Sequence, residues 1–167
     1  MALADSVSMI SIPPGDAGTL ATLKRMRAYA REGSRSLPIR ELALHLISTV
    51  PGAKNWSGQV RALHKHVQKN IQYVRDIAGV ETLQTPVMTL TYAAGDCDDQ
   101  ATLLAALLLA VGHPVRFVAV ATRPGVGFCH VYAETKIGAR WYALETTEDW
   151  PAGRGPAFTF KRMVLHA

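Results

Sequence analysis

The chain has 167 residues, of which 49% are hydrophobic and 19% charged, with a formal net charge of +5. That balance excludes an intrinsically disordered chain and leaves enough apolar residues for one domain to bury a core without staples. The basic residues (Lys24, Arg25, Arg27, Arg31, Arg35, Arg40, Arg61, Lys65, Lys69) are scattered and form no dense Lys/Arg run with interleaved aromatics. They read as solvated helix faces, and neither a nucleic-acid partner nor a membrane partner is expected.

In chain order, Val7 to Ile12 alternates apolar and polar residues, which predicts a short strand or extended arm ended by Pro13-Pro14-Gly15. The N-terminus lacks a basic n-region, so no signal peptide is expected. Asp16 is a candidate N-cap for a helix through about Arg31, closed by Gly33 and Ser34. Pro38 suits the first turn of a second helix to about Val50, stopped by Pro51-Gly52. Ser57 is placed to cap a third helix. Its apolar stripe, Val60, Leu63, Val67, Ile71 and Val74, repeats at spacings of three and four. Residues 76–95 read as irregular. A strongly apolar helix from about Cys97 to Val111 follows, with leucines nearly all round, as in a buried central helix. Its apolar run is about half the length of a membrane span.

Beyond Pro114 the texture changes. Val115 to Ala121, Phe128 to Thr135 and Arg140 to Leu144 read as three consecutive antiparallel strands, with turns at Arg123-Pro-Gly125 and Ile137-Gly138. Helices first and strands after indicate an α+β fold in one domain over 1–167. Its core spans about 57–150, with an N-terminal helical part (16–56) and a C-terminal tail (151–167).

Two cysteines make no disulfide framework, so nothing argues for an oxidising compartment. By itself Cys97 reads as a small buried cysteine at a helix start, and with a partner as a candidate nucleophile. It stands just after Gly95-Asp96, at the start of the apolar helix, where free N–H groups favour a thiolate and can hold an oxyanion. Asp98 and Asp99 oppose that charge, so a histidine partner is required. His130 lies on the second predicted strand, and alternation puts it on one face with Phe128, Tyr132 and Glu134, the face expected to cover the helix. It is the candidate general base. The other histidines lack this placement: His64 and His66 lie on the basic helix, and His113 lies in a turn. Glu145, in Leu144-Glu145-Thr146-Thr147 at the end of the third strand, is the candidate that fixes the ring's tautomer. Asp96 reads as an N-cap beside the site, and Gln84, in the irregular segment, as a further oxyanion candidate. Cys97, Cys129 and His130 do not form a zinc set, because Cys129 and His130 point to opposite faces. Asp96, Asp98 and Asp99 lack the later ligands and glycine of a calcium loop. No cofactor and no metal are expected.

These segments resemble the transglutaminase-like superfamily. The resemblance rests on GDCDD (95–99) heading a Leu/Ala helix, FCHVYAE (128–134), WYALETT (141–147) and the lead-in Ile71-Gln72-Tyr73-Val74. It covers about residues 57–150 and implies a papain-like fold with a Cys-His-acid triad acting on a protein or peptide. Gln84-Thr85-Pro86 upstream of GDCDD is most similar to small bacteriophage and prophage members. That likeness implies a cytoplasmic or virion location and, as an alternative, an assembly protein that docks on other phage structural proteins with little or no catalysis. The family usually has Asp where this chain has Glu145, a departure that opens the possibility of a degenerate site. On the catalytic reading, iodoacetamide is expected to label Cys97 far faster than Cys129.

Overall fold

The computed structural model describes residues 8–9, 13–76, 82–157 and 159–167. Among these residues the order is β1 (Ser8–Met9), α1 (Asp16–Gly33), α2 (Leu37–Ser48), α3 (Trp56–Asn70), β2 (Gln72–Tyr73), β3 (Thr82–Leu83), α4 (Pro86–Tyr92), β4 (Ala94–Gly95), α5 (Cys97–Ala110), β5 (Val115–Ala121), β6 (His130–Ile137), β7 (Arg140–Leu144) and β8 (Lys161–His166). The fold is mixed helix and sheet, as its sequence indicates.

Helix α5 is the centre. Ten of its 14 residues are buried, and it packs against the other four helices and against β5 and β6. Leu103, Leu104, Leu107 and Leu108 are fully buried with Phe117, so truncating any one of these leucines to Ala costs about 2–5 kcal/mol. The antiparallel sheet has the strand order β7-β6-β5-β8. Its helix-facing side supplies Phe117, Ala119, Val131, Ala133 and Leu144 to the main core. Its other side holds a small cluster of Val118, Val120 and Tyr132.

That division corrects one expectation. Val131 and Ala133 cover the helix, not the face that carries Tyr132. Alternation was read correctly but its phase was not: Val131, Ala133 and Ile137 form the more apolar side, and His130, Tyr132, Glu134 and Lys136 the polar one. Strand β6 also starts at His130, two residues after the predicted start. The tail holds a further correction: residues 161–166 form β8, which pairs with the free edge of β5 (Val118 opposite Val164).

The helix ends differ too. Gly15, at φ 71°, precedes α1, and no side chain caps that end. Asp16 is instead the first helical residue, where its charge complements the helix dipole. Asn55, not Ser57, caps α3, its Oδ1 accepting from the Gly58 N–H at 3.0 Å. Val60, Leu63, Val67 and Ile71 are buried, but α3 stops at Asn70 and Val74 is exposed. The segment read as irregular contains β3, α4 and β4. Thr85 caps α4, and Pro86 occupies its first turn. β1 pairs antiparallel with β3; Val7 and residues 10–12 of the predicted arm lie outside the described residues.

Candidate active site

The chain entering α5 is held from both sides before Cys97 is reached. β4 pairs in parallel with β2, and the N–H groups of Gln72 and Val74 donate to the carbonyls of Ala93 and Gly95 at 2.7 and 3.1 Å. Asp96 then closes a capping box. Its Oδ1 accepts from the N–H groups of Asp98 and Asp99 at 3.0 and 3.2 Å, and Asp99 Oδ2 accepts from the Asp96 N–H at 3.3 Å. Cys97 is the first residue of the helix so fixed.

The Cys97 thiol donates to Asp98 Oδ1 at 3.4 Å. Burial holds it well above the ordinary thiol range, and the Asp98 and Asp96 carboxylates add to that; a Val131 backbone hydrogen bond opposes them. At rest, then, Cys97 is a protonated thiol.

His130 opens β6 and stacks near Tyr132, ring centroids 6.2 Å apart. Its Nε2 lies 2.5 Å from Glu145 Oε2. Glu145 is 1% exposed, so its charge depends on such partners. Its other oxygen, Oε1, accepts from the Thr147 N–H at 2.9 Å and the Thr147 hydroxyl at 2.8 Å. Burial alone would raise this carboxyl, but the His130 ring and Thr147 outweigh it and hold it below the ordinary glutamate value. The ionised carboxylate takes the Nε2 hydrogen, which leaves Nδ1 as a proton acceptor. Among the described residues Nδ1 has no hydrogen-bond partner, and no hydrogen bond joins His130 to Cys97.

Cys97 and His130 line one cavity of about 830 Å³. Its walls come from Pro14 and the first turns of α1 (Thr19, Thr22), from Tyr73 at the end of β2 and Arg75 beyond it, and from Phe128 ahead of β6. Asp96 lies in the wall as well as in the cap. Gln84 does not line it. Its amide nitrogen donates to Asp99 Oδ2 at 3.0 Å and to the Ala94 carbonyl at 3.4 Å, at the helix end. Asp99, which also accepts from the Gln84 N–H at 2.8 Å, is pushed up to about 7, by burial first and then by Asp96.

Cys129 also lines the cavity and is exposed. A Thr122 hydrogen bond, with Arg123 nearby, holds its thiol below the ordinary range. In the resting structure Cys129 is thus the more exposed of the two thiols. Among the described residues, the ligand-bearing group gathered within 4.8 Å is Asp96, Cys97 and Asp98. Asp96 Oδ1 is already committed to two N–H groups of the cap, and Asp98 to the thiol, so these donors serve the helix end rather than an ion.

Three residues that hold the site were not singled out in the sequence. Thr147 bonds the Glu145 carboxylate. His64 and Gln68, both on α3, bond the Glu145 carbonyl at 2.5 and 3.0 Å. His64 follows Val60 by four positions, in the buried stripe, and that spacing was the available signal.

A model of the transglutaminase-like superfamily matches residues 45–146. Two solved structures share the fold. One is a proposed cysteine protease from Cytophaga hutchinsonii, at 22% identity and a TM-score of 0.53, with 77% of this chain and 46% of that one covered. The other is a proposed protease from Parabacteroides distasonis, at 18% identity and a TM-score of 0.62, with 78% of this chain and 26% of that one covered. The chain thus spans less than half the length of either. No protein of curated function matches the chain. No helix among the described residues is long and apolar enough to cross a membrane.

Proposed function

The chain belongs to the transglutaminase-like superfamily, and from that premise we propose that it carries out cysteine-dependent acyl transfer at an amide bond of a protein or peptide. The observation that carries this reading is the His130–Glu145 pair. Nε2–H is spent on a buried carboxylate, and Nδ1 is left to take a proton in the cavity that Cys97 lines.

In the first step the Cys97 side chain rotates from Asp98 towards His130, and Nδ1 takes the thiol proton. The thiolate adds to the amide carbonyl carbon, and the oxyanion is met at the N-terminus of α5, with the Cys97 N–H as one donor. The imidazolium returns its proton to the departing amine, and the C–N bond breaks to leave a thioester. Water then releases an acid, or an amine releases a new amide, with His130 again taking the attacking group's proton. Glu145 orients the ring and offsets its positive charge throughout.

The bond from Cys97 to Asp98 favours a second reading, an assembly protein that keeps the fold without turnover, docking on phage or other structural proteins. Alkylation of Cys97 by iodoacetamide in a Cys129→Ser background decides between the two. The catalytic reading expects His130→Ala to slow it by about tenfold or more near neutral pH, because the thiol loses its base. Equal rates with and without His130 would remove the base and leave the second reading.

A further inference from the structure

We propose that His64 and Gln68 of α3 are positioning residues for this site: they anchor the backbone of Glu145 so that its carboxylate meets the His130 ring. The proposal rests on the triad reading and adds to it a jig supplied from another part of the chain.

The geometry is specific. Every polar acceptor of Glu145 is engaged, its carboxylate oxygens by His130 and Thr147 and its carbonyl by α3. Gln68 Nε2 faces three carbonyls, those of Glu145, Glu148 and Trp150, at 3.0, 2.7 and 2.8 Å. Two amide hydrogens shared among three carbonyls draw residues 145–150 into one turn around a single side chain. His64 is 2% exposed. Its burial keeps the ring neutral, so it holds one N–H, and the neighbouring carbonyl assigns that hydrogen to Nε2. The nearby Lys69–Asp149 ion pair is exposed at both ends and contributes little.

Placement matters because Glu145 lies past the end of β7, where, among the described residues, the strand pairing has ended. A glutamate there has one more rotatable bond than an aspartate. Without an anchor its carboxylate would spread over several rotamers, and a displacement of about 1 Å is enough to lose a catalytic alignment. The carbonyl bonds from α3 remove that freedom at the backbone, and Thr147 removes it at the carboxylate.

The test is the ring N–H resonance of His130 in proton NMR of the full chain carrying labelled histidine. A hydrogen bond to a buried carboxylate places this signal far downfield and protects it from exchange. Glu145→Gln is the control and should remove the downfield signal. Gln68→Ala and His64→Ala should broaden or remove it, whereas His64→Gln, which keeps a donor for the Glu145 carbonyl, should retain it. An unchanged signal in folded Gln68→Ala would overturn the proposal, since Gln68 is only half-buried and its truncation leaves the core intact. If His64→Ala does not fold, Gln68→Ala and His64→Gln decide alone. A signal that survives Glu145→Gln would instead overturn the triad reading, and this proposal with it.

Discussion

Replacing Asp98 by Asn tests what holds Cys97 protonated. The carboxylate lies 3.4 Å from the sulfur, and Asn keeps an oxygen there while removing the charge. At an effective dielectric of about 20, unit charges at about 4 Å interact by about 4 kcal/mol, equivalent to about three pKa units. Asp98 is half-buried, so water screens part of that, and about one to two units is the reasonable effect. Each unit raises the thiolate fraction about tenfold but lowers its intrinsic nucleophilicity about threefold. The net gain is about 3–10-fold in the rate of Cys97 alkylation. The assay is iodoacetamide labelling near neutral pH in a Cys129→Ser background, followed by mass spectrometry; the neutral reagent avoids a direct charge effect on its approach. Lost dipole complementarity at the start of α5 costs about 0.5 kcal/mol, too little to unfold the chain. An unchanged or slower rate would refute the reasoning and leave burial and Asp96 to hold the thiol.

The remaining predictions concern the same neighbourhood. In the unaltered protein near neutral pH, peptide mapping after brief labelling should find Cys129 modified before Cys97, and Thr122→Val should slow Cys129 selectively. Glu145→Asp shortens the reach to His130 by about 1.5 Å from an anchored backbone; Cys97 alkylation should slow, and full retention would contradict the anchoring. Asp99 titrates at about 7 when folded against about 3.9 unfolded. Between those values the folded state holds a proton the unfolded state has released, so stability falls as pH rises through the window and levels off above it. Urea unfolding at about pH 5 and about pH 8 should show a loss on the order of 2–4 kcal/mol, absent in Asp99→Asn. Gly95→Ala would place a Cβ 2.6 Å from Asp99 Cβ; thermal unfolding should report a loss of about 1–3 kcal/mol.

Much of the frame was legible because it depends on local pattern. The leucine-rich run from Cys97 predicted a helix apolar all round, and α5 is the element that every other helix packs against. β5 and β7 match their predicted bounds because short β-branched (β5) or aromatic (β7) runs between turn residues have few alternatives. The helix ends were less legible: Asp16, Asn55 and Ser57 are all acceptable caps, and the choice among them depends on where the preceding loop enters. β8 was missed because KRMVLH begins with two charges. Arg162 lies on the outer sheet face, where it pairs with Glu134 at 2.9 Å, and Lys161 points to the other face, towards Asp16 at 3.3 Å.

The site divides along the same line. The sequence by itself determined the chemical groups and their order: a thiol at a helix N-terminus, a histidine on a strand and a carboxylate ending the next. Tertiary structure decided everything that needs two distant segments to meet. It buried Glu145 against His130, turned the Cys97 thiol towards Asp98, took Gln84 away from the cavity and brought His64 and Gln68 beneath residues 145–150, which follow them by some 80 positions. Spacing along a chain encodes which face a side chain occupies, but the free energy of a hydrogen bond depends on partners within about 3 Å, and only packing brings those together.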